Sequence, residues 1–283
     1  MDAASTTPLP SPASGPPATP AAPATLRVDP EAERAALARQ LAARVRGQVR
    51  FDRHDRMLYA TDASIYQVEP LGVVVPADPD DAVAAVRACH DLGLPLLPRG
   101  GGTSLAGQCV NRAVVLDVSA GLRGLSGVDE AAGRCRAEAG LTIQELNEQL
   151  AGRGLFFAPD PSTVRQANVG GCIGNNAAGT RSIRYGRTAE NLLGVEACLA
   201  DGTRLRFDAG AAARPDADPA LVRITDGVID IVRRHASLIR ERFPRTLRRN
   251  AGYALDMILD QLEAADAAGG DPRAFVDLAP LLC

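Results

Sequence analysis

The chain contains no lysine and no tryptophan. All 31 basic residues are arginines, so a P-loop lysine, a Schiff-base lysine and a lysine general base are excluded from these 283 residues. Aromatic residues make up only 4% of the chain and the formal net charge is -3, which leaves neither an aromatic platform nor a basic field for nucleic acid. The three histidines (His54, His90 and His235) form no HxH or HxxxH pair. The six cysteines, at 89, 109, 135, 172, 198 and 283, form no CxxC. Those spacings exclude a zinc or iron–sulfur site built from these cysteines alone, and they do not suggest a disulfide framework. No apolar run approaches the ~18 residues that span a bilayer. The first residues lack the basic start and continuous apolar stretch of a secretory signal.

What is present is an ordinary globular balance, 46% hydrophobic and 23% charged, in a length that suits one or two domains. Residues 1–25 hold seven of the twenty prolines among Ala, Ser and Thr, and read as a disordered tail. Residues 26–66 read as an N-terminal helical segment, with Leu37, Leu41 and Val45 on one stripe and Gly47 as the stop. Gly72–Pro76 is a buried-type strand. Asp78-Pro79 caps a helix that carries Val83, Val86 and His90 on one face, and Leu94–Pro98 is the next strand. This β-α-β pattern predicts parallel strands joined by a right-handed crossover. Ala113–Val118 is a further strand, and hairpins are expected around residues 129–133 and Asp201-Gly202. Thr142 and Glu145 form a capping box, and helices are expected over 217–242 and 253–264. The apolar end Phe275–Cys283 reads as a stop inside a larger protein.

Two glycine-rich segments could carry chemistry. In Pro98-Arg-Gly-Gly-Gly-Thr-Ser-Leu-Ala-Gly107, consecutive glycines let backbone N–H groups converge on an anion, Thr103 and Ser104 add hydroxyls, and Arg99 adds charge. The plain alternative is a tight strand-to-helix turn. A dinucleotide fingerprint fails at Leu105, and a Walker motif fails at Gln108. In Gly170-Gly-Cys-Ile-Gly-Asn-Asn-Ala-Ala-Gly179, small residues would let a flat ligand lie against backbone, and Asn175 and Asn176 offer donors and acceptors. The alternative there is close helix–sheet packing. Lone histidines and cysteines such as His90, Cys109 and Cys172 read as structural. The arginine run from Arg233 to Arg249 reads as a solvated face, with Arg248-Arg249-Asn250 approaching an anionic ligand as the rival reading.

The strings PRGGGTSLAGQ, PDPSTVRQANVGGCIGNNAAGTRSIRYGRTAENLLGVEACLADGTRL and RRNAGYALD, together with RFDRHDRMLYATDAS and GQCVNRAVVLDVS, occur in register from about Leu41 to Cys283. They resemble the vanillyl-alcohol-oxidase/p-cresol-methylhydroxylase superfamily of FAD-linked oxidoreductases. Within it they are most similar to bacterial D-lactate, D-2-hydroxyglutarate and glycolate-oxidase-type proteins with a fused iron–sulfur domain.

The resemblance implies an α+β fold: a two-lobed FAD-binding domain over 67–210, made of a small β-α-β lobe and a larger mixed sheet lobe. A helical extension over 211–283 would follow, and the domain would be incomplete at its C-terminus. Arg99, Gly100, Gly101, Gly102, Thr103, Ser104, Gly107 and Gln108 would wrap the pyrophosphate. Pro159, Asp160, Pro161 and Ser162 would sit against the flavin and its ribityl chain. Gly170, Gly171, Gly174, Asn175, Asn176 and Gly179 would line the ring and diphosphate, with Tyr185, Gly186 and Val195 closing the site. FAD would be held non-covalently and no metal would bind here; an iron–sulfur cluster would belong to a part beyond residue 283, as would the catalytic base and metal ligands. The implied activity is oxidation of a D-2-hydroxy acid (D-lactate, D-2-hydroxyglutarate or glycolate) to the 2-oxo acid by hydride transfer to flavin N5. Electrons would pass to an iron–sulfur domain, a quinone or a cytochrome. The implied location is cytoplasmic, at most peripheral at the inner membrane. The alternatives are a catalytically incomplete flavin-binding module, or a superfamily oxidase acting on a sugar or lactone.

Overall fold

A computed structural model of the chain describes residues 32–246 and 253–283. The proline-rich stretch 1–25 and Arg248-Arg249-Asn250 lie outside the described residues.

The first lobe is a four-stranded sheet with helices packed on it. Helix α1 (Ala32–Ala42) leads to β1 (Gln48–Arg50), α2 (Arg53–Leu58), β2 (Gly72–Val75), α3 (Pro79–Asp91), β3 (Leu96–Arg99) and β4 (Val114–Asp117). The strand order is β1-β2-β4-β3. β2 and β3 are each parallel to β4, and β1 runs antiparallel to β2. The expected β-α-β strands are thus parallel but not neighbours: β4 inserts between them. The two central strands are buried along their whole length, as their valine-rich sequence requires. Leu41, Val74, Val86, Cys89, Val114 and Leu116 form the core between sheet and helices. His90 is exposed, so the buried face of α3 runs through Val83, Val86 and Cys89 without it.

Asp78 caps α3 by accepting the Asp81 N–H at 2.9 Å, with Pro79 in the first turn. The buried Asp81 carboxylate in turn accepts the N–H groups of Arg46, Gly47 and Ala77 at 2.6, 2.8 and 2.9 Å. Three backbone donors satisfy this carboxylate and tie the entry to β1 onto the helix start. The helix expected to reach Gly47 therefore ends earlier, at Ala42, and the chain turns under α3.

The second lobe begins with the hairpin β5 (Leu125–Asp129) and β6 (Arg134–Ala137), followed by α4 (Ile143–Ala151), whose Thr142/Glu145 capping box forms as expected. Short helices α5 (Val169–Gly174) and α6 (Ser182–Tyr185) precede a second hairpin, β7 (Gly194–Cys198) and β8 (Arg204–Asp208). The strands of this lobe form two separate two-stranded ribbons, not one larger sheet. The last elements are α7 (Pro219–Arg234), α8 (Ala236–Arg242), α9 (Leu255–Ala268) and α10 (Pro272–Phe275). The helix expected over 217–242 is broken at His235. Leu205 and Phe207 of β8 share one core with Leu221, Val232, Ile258 and Leu262, so the helical end packs on the hairpin.

Candidate functional site

The glycine loop leaves the end of β3 at Arg99. The Arg99 guanidinium turns under the loop and donates to the carbonyls of Tyr59 (3.0 Å), Thr61 (2.8 Å) and Cys109 (3.0 Å). It also stacks over the Tyr59 ring at 5.3 Å. Arg99 is thus engaged in holding both ends of the loop to the segment after α2. Asp62 completes this clamp by accepting the N–H of Cys109 at 3.2 Å, while the Gly102 carbonyl accepts from Ala63 at 3.0 Å.

The glycines are needed for two physical reasons. Gly102 and Gly107 have φ of +63° and +78°, and a side chain on them would run into Arg99 and Tyr66. Gly100 and Gly101 lie so close to the second lobe that a Cβ would stand 2.6 Å from Asn168 Oδ1 or overlap the Gln166 carbonyl. Among the described residues, the backbone N–H groups of Gly100, Gly101, Gly102 and Thr103 donate to no protein acceptor, while the Ser104 N–H is directed at the Cys109 thiol. Thr103 and Ser104 are half-buried, and Gln108 is exposed at the end of the loop.

The second segment starts at α5. Gly170 packs against Ala139, but nothing lies within 4 Å of where a Cβ would stand on Gly171 or Gly174. These two glycines and Asn175 are exposed and form an open, smooth face. Asn176 does something else: it is buried, has φ +40°, and its Oδ1 accepts the Ala189 N–H at 3.1 Å. Its side chain holds the following turn.

The Pro159–Ser162 turn is stitched to the end of that segment. Asp160 has φ +56° and packs its carbonyl where a side chain on Gly179 would go. Thr180 Oγ1 donates to Asp160 Oδ2 at 2.8 Å, and Arg181 lies 3.4 Å from the same oxygen. Ser182 Oγ accepts from the Gly179 N–H at 2.9 Å and donates to the Pro159 carbonyl at 3.4 Å. Pro159 and Pro161 are buried and Ser162 is exposed. Tyr185 meets Phe156 edge-on at 5.8 Å, Gly186 turns the chain at φ +79°, and Val195 sits on β7 opposite Phe207. Among the described residues, no hydrogen bond joins Tyr185, Gly186 or Val195 to the glycine loop.

Sequence reasoning singled out neither Asp62 nor Asn168. Asn168 immediately precedes α5; its Nδ2 donates to the Gly140 carbonyl at 2.5 Å, and its Oδ1 faces the loop. The visible signal was an Asn directly before Val-Gly-Gly, the pattern of a helix cap. The cysteines near the segments are not poised for redox chemistry: burial pushes the Cys172 thiol up to about 12 and raises that of Cys109. Among the described residues, no three His, Cys, Asp or Glu side chains gather to hold a metal ion.

A row of free backbone donors beside an open glycine face has the chemistry to take a diphosphate and a flat ring. The sequence comparison agrees: residues 70–208 match the family of FAD binding domains. The chain carries an FAD-binding domain of this family.

The D-2-hydroxyglutarate dehydrogenase of Pseudomonas putida is 35% identical over 226 residues, covering 76% of this chain and 22% of that protein. The glycolate oxidase subunit GlcD of Escherichia coli K12 is 31% identical over 171 residues, covering 59% of this chain and 34% of that protein. The chain therefore spans about a fifth to a third of the length of these curated relatives. Among solved structures, an alkyldihydroxyacetonephosphate synthase superposes with a TM-score of 0.57 at 20% identity, over 65% of this chain and 36% of that one. That likeness gives the fold. No helix among the described residues is long and apolar enough to cross a membrane.

Proposed function

We propose that this chain is the FAD-binding part of a flavin-dependent oxidoreductase that oxidises a D-2-hydroxy acid, with D-2-hydroxyglutarate, D-lactate or glycolate as candidates. The observation that carries it is the run of four unpartnered N–H groups, Gly100 to Thr103, in a loop packed against the segment that opens the exposed glycine face, in a chain 35% identical over 226 residues to a D-2-hydroxyglutarate dehydrogenase. The loop backbone holds the diphosphate, with Thr103 and Ser104 adding hydroxyls and Gly107 and Gln108 closing the loop. Gly171, Gly174 and Asn175 offer the surface for the ring, and the Pro159–Ser162 turn borders it through Gly179. Bound FAD supplies a hydride acceptor at N5; this chain positions it and shields it.

FAD is held non-covalently: no histidine lies in either glycine-rich segment, and the one cysteine within them, Cys172, is buried. Residues 67–210 form the flavin domain and 211–283 a helical extension that braces β8 from behind. The electron acceptor, be it an iron–sulfur domain, a quinone or a cytochrome, and a cytoplasmic place at the inner membrane surface are carried over from the family resemblance alone.

Titrating the purified chain with FAD while following flavin fluorescence tests this. Saturable one-to-one quenching supports it, and a folded protein that leaves the fluorescence unchanged refutes it. A second reading, a flavin-binding module that turns nothing over alone, is favoured by the chain's spanning 22% of that relative. Under it, the FAD-loaded chain stays oxidised with D-2-hydroxyglutarate or D-lactate in the absence of oxygen; bleaching of the flavin would overturn it.

A further inference from the structure

Asn168 is in a position where asparagine ordinarily caps a helix, and it does not cap. It precedes α5 with extended backbone angles (φ -95°, ψ 155°), yet its side chain makes no capping bond. Gly170 N–H, one of the donors a cap would satisfy, goes to the Ala139 carbonyl instead. The Asn168 side chain turns the other way. Its Nδ2 is anchored on the Gly140 carbonyl at 2.5 Å. Its Oδ1 has no hydrogen-bond partner, although the residue is only 2% exposed.

A buried acceptor left unsatisfied keeps the cost of its lost hydration, and native proteins retain few of them. This one is aimed at the loop that binds the anion. Oδ1 lies 2.6 Å from where a Cβ of Gly100 would be and 3.3 Å from where one of Gly101 would be. Those two residues carry backbone N–H groups that are also without a partner. The orphan acceptor, two residues before the second glycine-rich segment, and the orphan donors of the first thus lie on residues packed against each other. An entering molecule cannot reach an oxygen with no accessible surface, whereas the adjoining backbone can.

We propose that Asn168 is a positioning residue that latches the two glycine-rich segments together when the site is filled: its Oδ1 accepts a backbone N–H of the Gly100–Gly101 pair, while its Nδ2 stays on Gly140. This rests on the FAD reading above. The latch fixes the angle at which the rest of the loop, Gly102 and Thr103, presents its N–H groups. Asparagine suits the task because one planar amide donates at one end and accepts at the other without placing a charge beneath a diphosphate. An aspartate in its place would keep the acceptor, lose the donor and add a buried negative charge.

The test uses the full 283-residue chain. Amide hydrogen exchange of wild-type protein is followed by NMR with and without FAD, and FAD affinity is measured for wild type and Asn168→Ala. FAD is expected to slow exchange at Gly100 or Gly101 in wild type. In Asn168→Ala that slowing is lost while Gly102 and Thr103 remain protected, and the FAD dissociation constant rises about tenfold, which corresponds to about 1.4 kcal/mol. The melting temperature without FAD is measured alongside, because a merely structural role would move it and leave the loop amides as in wild type. If Asn168→Ala does not fold, the wild-type exchange pattern decides alone: Gly100 and Gly101 both exchanging freely with FAD bound overturns the latch. Unchanged affinity with unchanged loop protection also overturns it. A wild-type chain that takes up no FAD at all overturns the FAD reading and the latch with it.

Discussion

Arg99 Nη1 donates to the Cys109 carbonyl at 3.0 Å, across the base of the loop that begins and ends with these two residues. Asp62 accepts the N–H of the same cysteine at 3.2 Å. The loop is therefore pinned at its ends by side chains, while the N–H groups of Gly100 to Thr103 between them have no protein acceptor among the described residues. Rigid ends with unpaired donors between them are what an anion site needs, because the donors are already aligned when the anion arrives.

The geometry assigns Arg99 to support. Arg99→Lys keeps the positive charge but cannot bond three carbonyls in one plane. The expected result is a loss of about 2–3 kcal/mol in stability, since hydrogen bonds to a charged group are each worth about 1.5–3 kcal/mol. FAD affinity is expected to fall at least tenfold. Urea unfolding and FAD titration measure the two effects. Full rescue by lysine would show that the charge alone matters.

Two glycines should fail in opposite ways. A Cβ at Gly101 overlaps the Gln166 carbonyl, so Gly101→Ala is expected to cost about 1–3 kcal/mol in the protein without ligand. A side chain at Gly171 meets nothing within 4 Å. Gly171→Leu should melt at or slightly above the wild-type temperature, since leucine is the better helix former, while FAD affinity drops tenfold or more. Thermal melts with and without FAD separate the two. A Gly171→Leu protein that binds FAD normally would move the ligand off this face.

Asp160 adopts φ +56°, a conformation Asn shares with little penalty and β-branched residues resist. Asp160→Asn should stay within about 0.5 kcal/mol of wild type. Asp160→Val should lose about 2 kcal/mol or more through backbone strain and the lost Thr180 bond at 2.8 Å. Equal stabilities by urea unfolding would contradict the strained turn.

The clamp on the loop should respond to acid. Burial works to raise the Asp62 carboxyl, but the hydrogen bonds from Ser64 and the Cys109 N–H outweigh it and hold the group below its ordinary value. A carboxyl lowered on folding stabilises above its free value of about 3.9, and that stability is lost as pH falls through the lowered value. The melting difference between wild type and Asp62→Ala should therefore be full at neutral pH and shrink below about pH 4. A difference independent of pH would contradict the ionised clamp.

The sequence made local features legible and hid what pairs across distance. Asp78-Pro79 and Thr142 with Glu145 announced their helices because a cap is satisfied within one turn. The valine runs at β2 and β4 announced buried strands. The insertion of β4 between β2 and β3 carried no local signal, since strand order is decided by pairing partners far apart in the chain. β1 is three residues long, too short for an alternation to show. At the site, the glycines were visible because consecutive glycines are rare and costly. Arg99 could be counted as a charge, but its three carbonyl partners come from residues up to forty positions away. Asn168 was not singled out in the sequence; only the packed lobes reveal that its acceptor faces the other segment.

The most direct measurement is the visible absorption spectrum of the purified 283-residue chain, supplied with FAD and freed of excess, before and after denaturation and ultrafiltration. A flavin spectrum from the folded protein is expected, with the chromophore passing the filter once the protein is denatured. A folded protein that stays colourless would contradict an FAD site in this chain, and colour retained above the filter would contradict non-covalent binding.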